Sequence, residues 1–348
     1  MGSTIKDVAR LAGVSIATVS RVINSPETVK KETRETVLTA MKESGYTYNT
    51  LARSLSTRKS LSIGLIVPSI TNPIFAESTL GIQDCANNFG YTVLLGDTDY
   101  DFKKEAMLIN ALNERRVEGL IITTSSVSNP YLKKFKDEDF PVVLIYNTTF
   151  SEDFHFVTID NFKSAYEIVK YLIELGHKRI GMIAGYFDIS DRSYARWQGY
   201  AQCLKDHGIP QDDSLVVQES FTAPAGREAM KYLLKMSKPP TAVFCSNDFL
   251  AIGAMSAVYE KGLKIPDDIS ICGFDNMELS SHIYPPLTTV DQPAYEMGYR
   301  AMEILMKVMA GEVTAPQHIF LDYKLIIRNS CSTLNLFTKG RKHEEKRF

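Results

Sequence analysis

The segment SIATVSRVIN, Ser15 to Asn24, carries side chains of the kinds that read the edges of base pairs. Arg21 can make two parallel hydrogen bonds to guanine, a pairing usually worth about 1–3 kcal/mol of discrimination, and Ile16 and Ala17 can touch thymine methyl groups. Ser15, Thr18, Ser20 and the backbone N–H groups near Ser15 suit phosphate oxygens, which fix position without reading sequence. Bond-making chemistry has no comparable set. There is no G-x-G-x-x-G after an apolar strand, no G-x-x-x-x-G-K-[ST], no H-E-x-x-H and no G-x-S-x-G, and the six histidines lie far apart. The chain is expected to bind rather than to catalyse, with no cofactor and no metal.

Base-reading side chains need a helix that can enter a groove, and the flanking residues supply one. Thr4 followed by Asp7 predicts a helix start, with Val8, Ala9, Leu11 and Ala12 as its apolar stripe. Gly13 provides a left-handed turn and Ser15 caps a second helix that directs Val19, Val22 and Ile23 inward. A third helix, Lys31 to Ser44, brings Val37, Leu38 and Met41 onto the pair, and Gly45 ends it. Two short helices joined by a tight glycine turn make a helix-turn-helix. Residues 1–60 hold ten Lys/Arg against five Asp/Glu, within a chain whose formal net charge is -2. A basic module that faces a polyanion is thereby joined to an acidic body. Between them, YNTLARSLSTRKS is too short to hold a helix alone in water.

The remaining residues alternate Ile/Leu/Val-rich runs with helical patterns: LSIGLIVP, YTVLLG, GLIIT and VVLIY, then a second series through RIGMIAG, AVFCS and ISICGF. This is the pattern of parallel sheets covered on both faces, in two tandem units. Ligands of such sheets collect beyond the carboxyl ends of the strands, where polar residues cluster here. No apolar run approaches the roughly 20 residues of a membrane-spanning helix, and the first thirty residues lack a signal peptide's apolar core. A cytoplasmic protein with no membrane partner is expected, associated with the nucleoid when on DNA. Cys85, Cys203, Cys245, Cys272 and Cys331 are odd in number and show no C-x-x-C spacing, which points to reduced core thiols.

TIKDVARLAGVSIATVSRVIN resembles the opening of the LacI/GalR (lac repressor) family of bacterial transcriptional regulators, and YNTLARSL resembles that family's hinge helix. Family landmarks continue in order to about Ile326. The resemblance implies an all-α helix-turn-helix head over residues 1–47, a hinge over 48–60, and a periplasmic-binding-protein-like α/β body over 61–330. Two doubly wound lobes would divide that body, one from 61–160 and 291–322, the other from 161–290 and 323–330. Residues 331–348 are expected to be a charged, disordered tail without a leucine heptad, which favours a homodimer over a tetramer.

By the same resemblance, Thr4, Asn24, Ala52 and Arg53 join the DNA contacts, with Leu55 as a wedge in the minor groove of a pseudo-palindromic double-stranded operator. Asn72 and Phe75 in SITNPIF, Arg196 in ARWQGY, Phe221 in ESFTAPAG, Asn247 in CSNDFLAIGA and Asp275 in ICGFDN are implied at a small-molecule effector, with Asp160 in VTIDN near a crossover strand. Asp248 is read as a helix cap. The implied effector is a sugar or sugar derivative; a purine-like corepressor or a protein partner stays open, since Asn147, Thr148 and Thr149 stand where the family often has an Asp-Arg pair. VKKET likewise replaces a serine cap on the third helix. A plain solute-binding protein is the more distant alternative, and an architectural DNA protein would not need the cleft residues.

Overall fold

The computed structural model describes residues 3–24, 26–46, 60–125, 129–148 and 153–334. The expected hinge at Ala52, Arg53 and Leu55, the side chain of Asn24, Thr149 and residues 335–348 lie outside the described residues. Two compact units divide the chain, residues 1–60 and 61–348.

In the first unit α1 spans Ile5–Leu11, α2 Ile16–Asn24 and α3 Lys31–Ser44. Val8, Val19 and Val37 are wholly buried where the three helices meet, with Ala9, Val22 and Ala40 around them. Gly13 and Gly45 both take left-handed backbone, φ 65° and 64°, where a side chain would be strained. Two expected core residues are instead exposed: Leu11 at 54% and Leu38 at 51%. At 3.6 residues per turn each lies about 100° round its helix from the buried face, which Ala12 and Ala40 occupy instead.

The second unit runs β1 (Ser62–Val67), α4 (Pro73–Asn88), β2 (Thr92–Asp97), α5 (Phe102–Glu114), β3 (Leu120–Ile122), α6 (Pro130–Asp137), β4 (Val142–Ile145) and β5 (His155–Ile159). It continues with α7 (Asn161–Glu174), β6 (Ile180–Gly185), α8 (Asp191–Asp206), β7 (Val216–Glu219), α9 (Ala223–Leu234), β8 (Ala242–Cys245), α10 (Asp248–Glu260) and β9 (Ser270–Cys272). A short helix α11 (Leu279–His282), β10 (Thr289–Asp291), α12 (Ala294–Met309), β11 (His318–Leu321) and β12 (Lys324–Ile326) complete it. Lobe 1 is a six-stranded parallel sheet in the order β11-β5-β4-β3-β1-β2, and lobe 2 a four-stranded parallel sheet in the order β7-β6-β8-β9. β10 and β12 pair antiparallel as a separate ribbon. The chain therefore crosses between lobes after β5, after β10 and between β11 and β12.

Period-two alternation decides which face of each sheet meets which helices. Ile63, Leu65 and Val67 of β1 pack with residues of α4 and α12, while Ile66 packs with α5 and α6. In lobe 2, Ile180, Met182 and Ala184 meet α7 and α8, and Ile183 meets α9 and α10. All five cysteines are free and buried. No helix among the described residues is long and apolar enough to cross a membrane. The first residues of the expected tail are packed instead. Cys331 is buried, Ser332 donates its N–H to Ser270 Oγ at 3.1 Å and Leu334 donates to the Leu175 carbonyl at 3.0 Å, so residues 331–334 pack on lobe 2.

α4 and α12 approach so closely that each presents a glycine to the other's backbone. A β-carbon on Gly81 would collide with the Tyr295 carbonyl oxygen, and one on Gly298 with the Ser78 carbonyl oxygen. Gly298→Ala should therefore cost about 1–3 kcal/mol of body stability by overpacking. Urea unfolding should show a lower midpoint at an unchanged slope; a midpoint equal to the parent's would mean that the helices separate freely and the close approach is incidental.

Candidate functional site

On α2 the sequence sorts its faces cleanly. Val19 and Val22 are buried, Ile16, Ala17 and Arg21 are exposed, and Thr18 and Ser20 are half-buried between them. Ser15 Oγ accepts the Thr18 N–H at 3.1 Å, which fixes the amino end of this helix. Thr4 and Asp7 form a capping box on α1: the Thr4 N–H and hydroxyl donate to Asp7 Oδ2 at 3.0 and 2.7 Å. The Thr4 hydroxyl, then its N–H and more weakly Arg10, hold the Asp7 carboxyl below its usual range. Thr4 and Ser15 are thus occupied in shaping the two helices whose ends could meet phosphate.

At the carboxyl ends of the body strands, residues from both lobes enclose a cavity of about 30 Å³, enough for one water molecule. Asn72, Phe75, Arg196, Phe221, Asn247 and Asp275 all line it. Asn72 and Asn247 are N-caps, accepting the Ile74 N–H at 3.2 Å and the Leu250 N–H at 2.8 Å. Phe75 meets Tyr146 edge-on, with ring centroids 5.2 Å apart. Arg196 Nε donates to Asn161 Oδ1 at 2.8 Å, Nη1 to the Ser246 carbonyl, and the guanidinium carbon lies 3.5 Å from the centroid of the Phe274 ring. Asp275 stands 3.8 Å from Arg196 Nη1, accepts Gln292 Nε2 at 2.6 Å, and takes a positive φ of 112°, backbone in which a non-glycine residue is strained.

Burial raises Asp275 to about 7 although Arg196 pulls the other way, and burial lowers Arg196 to about 10 although Asp275 opposes it. Both directions have the same origin: the interior disfavours either charge, and the 3.8 Å pairing recovers only part of that loss.

The cleft also contains residues that the motifs did not announce. Tyr100 stacks on Phe221 with centroids 4.2 Å apart and planes 13° from parallel, joining a lobe 1 loop to a lobe 2 loop. Outside that stack lies a larger cavity of about 350 Å³, lined by Ser69, Thr71, Asp99 and Thr222 among others. Asp191, the first residue of α8, accepts Asn147 Nδ2 at 2.9 Å and the Thr148 N–H at 3.0 Å across the lobes. Burial raises its pKa, against Arg192 and these donors. An acid thus does stand beside Asn147 and Thr148, with an arginine next to it in the chain, but α8 of the other lobe supplies both.

Two expectations are corrected. Asp160 is exposed and caps α7 through the Lys163 N–H at 2.8 Å, outside the cleft; its neighbour Asn161 is the residue that reaches Arg196. Asp248 is no cap. It is wholly buried and accepts Ser280 Oγ and Thr289 Oγ1, both at 2.6 Å, and the Met277 N–H at 3.0 Å, which braces the segment between β9 and β10; burial raises it to about 6.

Comparison with known proteins agrees with this two-part architecture. The bacterial regulatory proteins, lacI family, match at residues 4–49, and the periplasmic binding protein-like domain matches at 169–331. The chain is 40% identical over 334 residues to the HTH-type transcriptional repressor CytR of Escherichia coli strain K12, covering 95% of this chain and 97% of that protein. It is similar to the lac repressor dimer bound to operator and the anti-inducer ONPF, with TM-score 0.86, 28% identity, and 95% and 100% of the two chains covered. It is also similar to the transcriptional regulator CelR in its cellobiose complex, with TM-score 0.72, 30% identity, and coverage of 94% and 99%. Likeness that runs the length of both partners, over a reading helix and a two-lobed cleft, leaves one conclusion: the chain belongs to the lacI family of bacterial regulatory proteins and is a DNA-binding transcriptional regulator, not an enzyme.

Proposed function

We propose that this protein is a repressor that binds a pseudo-palindromic operator as a homodimer and responds to a small polar metabolite, a sugar or sugar derivative, held between its lobes. The observation that carries the reading is the joint exposure of Ile16, Ala17 and Arg21 on a helix whose opposite face is core. One such helix contacts too little DNA for a regulator's affinity, and a two-fold pair contacts twice as much. Ser15, Thr18, Ser20, Thr4 and Asn24 are assigned to backbone contacts, and Ala52, Arg53 and Leu55 to a hinge that enters the minor groove. CytR is named a repressor, the lac repressor was captured as a dimer on operator, and CelR was captured with cellobiose. A purine-like corepressor is the second reading, favoured by the flat Tyr100–Phe221 pair, whose faces suit a planar ring.

A cavity for one water is far below the roughly 300 Å³ at which small-molecule sites begin. A sugar-sized ligand therefore reaches Arg196 and Asp275 only when the Tyr100–Phe221 pair parts, and it selects a more open arrangement of the lobes. Regulation follows if that arrangement binds operator with a different affinity, since a ligand shifts only equilibria between states that it distinguishes.

The operator half of the reading is tested by selecting a preferred sequence from random duplexes and measuring anisotropy on it. A palindromic site should emerge, and Arg21→Ala should reduce discrimination at one position per half-site by about 1–3 kcal/mol. Unchanged sequence preference would remove Arg21 as the base reader.

Asp275 provides a second test, through pH. Its folded pKa of about 7 lies above the ordinary 3.8, so the folded protein binds the proton more readily. Its stability contribution is then full below about pH 4 and is lost as pH rises to 7. Asp275→Asn should make the difference in Tm from the parent grow more positive between about pH 4 and 8, and should weaken effector binding. A Tm difference that does not vary with pH would show that Asp275 keeps an ordinary pKa.

A further inference from the structure

Arg192 sits one helical turn before Arg196 on α8 and lines the same cavity, but the two are served very differently. Arg196 is spent on Asn161, the Ser246 carbonyl, Asp275 and the Phe274 ring. Arg192 has a side chain only 8% exposed, yet among the described residues its guanidinium makes a single polar contact, a long 3.5 Å approach from Nη1 to Asp191 Oδ1. That carboxylate is committed elsewhere: Oδ1 takes Asn147 Nδ2 at 2.9 Å and the Arg192 backbone N–H at 2.8 Å, and Oδ2 takes the Thr148 N–H at 3.0 Å. A guanidinium carries five N–H donors and cannot shed its charge. One so nearly buried, whose ion pair is long and shares its carboxylate with three other donors, has its charge only partly compensated. Its field reaches the cleft, where it acts on Tyr100, Arg196 and Asp275.

We infer that Arg192 is an anion-recognition residue, and that the effector is a polyhydroxy metabolite bearing a carboxylate or phosphate. Arg192 offers a planar fork that matches two oxygens of either group. Asn247 and Asp275 offer an amide and a carboxylate suited to the ligand's hydroxyls. A neutral sugar would offer Arg192 hydroxyl acceptors but no counter-charge. The inference rests on the reading of the cleft as the effector site.

The test titrates full-length protein with neutral hexoses, pentoses and nucleosides, each matched to its uronate, aldonate and phosphate forms, by thermal shift and calorimetry. An acidic member should bind where its neutral parent does not. Arg192→Gln should weaken it by about tenfold or more, and Arg192→Lys, which keeps charge but loses the fork, should weaken it less. Preference for the uronate and aldonate arm over the phosphate arm identifies a carboxylate ligand, and the reverse preference a phosphate. Acid binding that survives Arg192→Gln overturns the assignment. Binding confined to neutral members, lost in Asp275→Asn and kept in Arg192→Gln, overturns the acidic ligand and leaves the cleft reading standing; a panel in which nothing binds overturns both.

Discussion

Arg196 draws its partners from segments far apart in the chain. Asn161 begins α7 just after the first crossing between lobes, Ser246 follows β8, and Asp275 follows β9 and is held by Gln292, which follows β10 at the second crossing. A buried guanidinium that loses a partner costs about 3–5 kcal/mol, whereas the intact pair adds little net stability over an apolar replacement. Its effect is therefore on geometry more than on total stability. Those strand ends can occupy few positions that leave Arg196 satisfied, and the cleft floor is the consequence.

The other buried acids are met mainly by neutral donors, and where those donors come from decides what is rigid. Glu105 accepts from Thr124, Ser125 and Asn129, and Asp248 from Ser280, Thr289 and Met277, all local to one lobe or to its crossing segments. Asp191 differs, because Asn147 and Thr148 reach it from the opposite lobe. The Tyr100–Phe221 stack also spans the lobes. Neutral hydrogen bonds contribute about 0.5–1.5 kcal/mol each and an aromatic pair a similar amount. Together these described contacts amount to a few kcal/mol, within reach of the free energy that a micromolar ligand supplies on binding, about 8 kcal/mol. Contacts of this size can be exchanged for those of a small molecule, while the sheets on either side keep their form.

How much of this was legible depended on whether a residue's role is local. Gly13, Ser15 and the spacing of Val19 and Val22 act within a few residues, and the helix-turn-helix follows from them directly. Strand and helix alternation in the body is equally local, because burial on both faces imposes continuous apolar runs. Arg196 and Asp275 were found through motif resemblance. Asp160 does not reach the cavity because its N-cap side chain turns back to its own helix, while the next residue, Asn161, faces Arg196. Leu11 and Leu38 failed for a related reason: apolar type does not reveal angular position when alanines occupy the buried face. Tyr100 gave no signal, since it and Asp99 take positive φ, 56° and 51°, without the glycine that would mark such a turn. Arg192 and Asp191 matter only because two lobes close on them, which no stretch of sequence states.

The two units divide the physical work. Six small buried side chains form the centre of the head, whose size leaves much of its surface in water, so its intrinsic stability is modest. Ligands that bind only the folded form add stability by mass action, and DNA is such a ligand for a reading helix. The body has the opposite character, with two large parallel sheets and charges buried at their carboxyl ends. Sensing a metabolite needs that low-dielectric interior, where one charge or hydroxyl more or less is strongly felt. Reading a duplex needs exposed, solvated side chains and a basic surface, which residues 1–60 carry in excess. The two environments differ, and this chain keeps them in separate units.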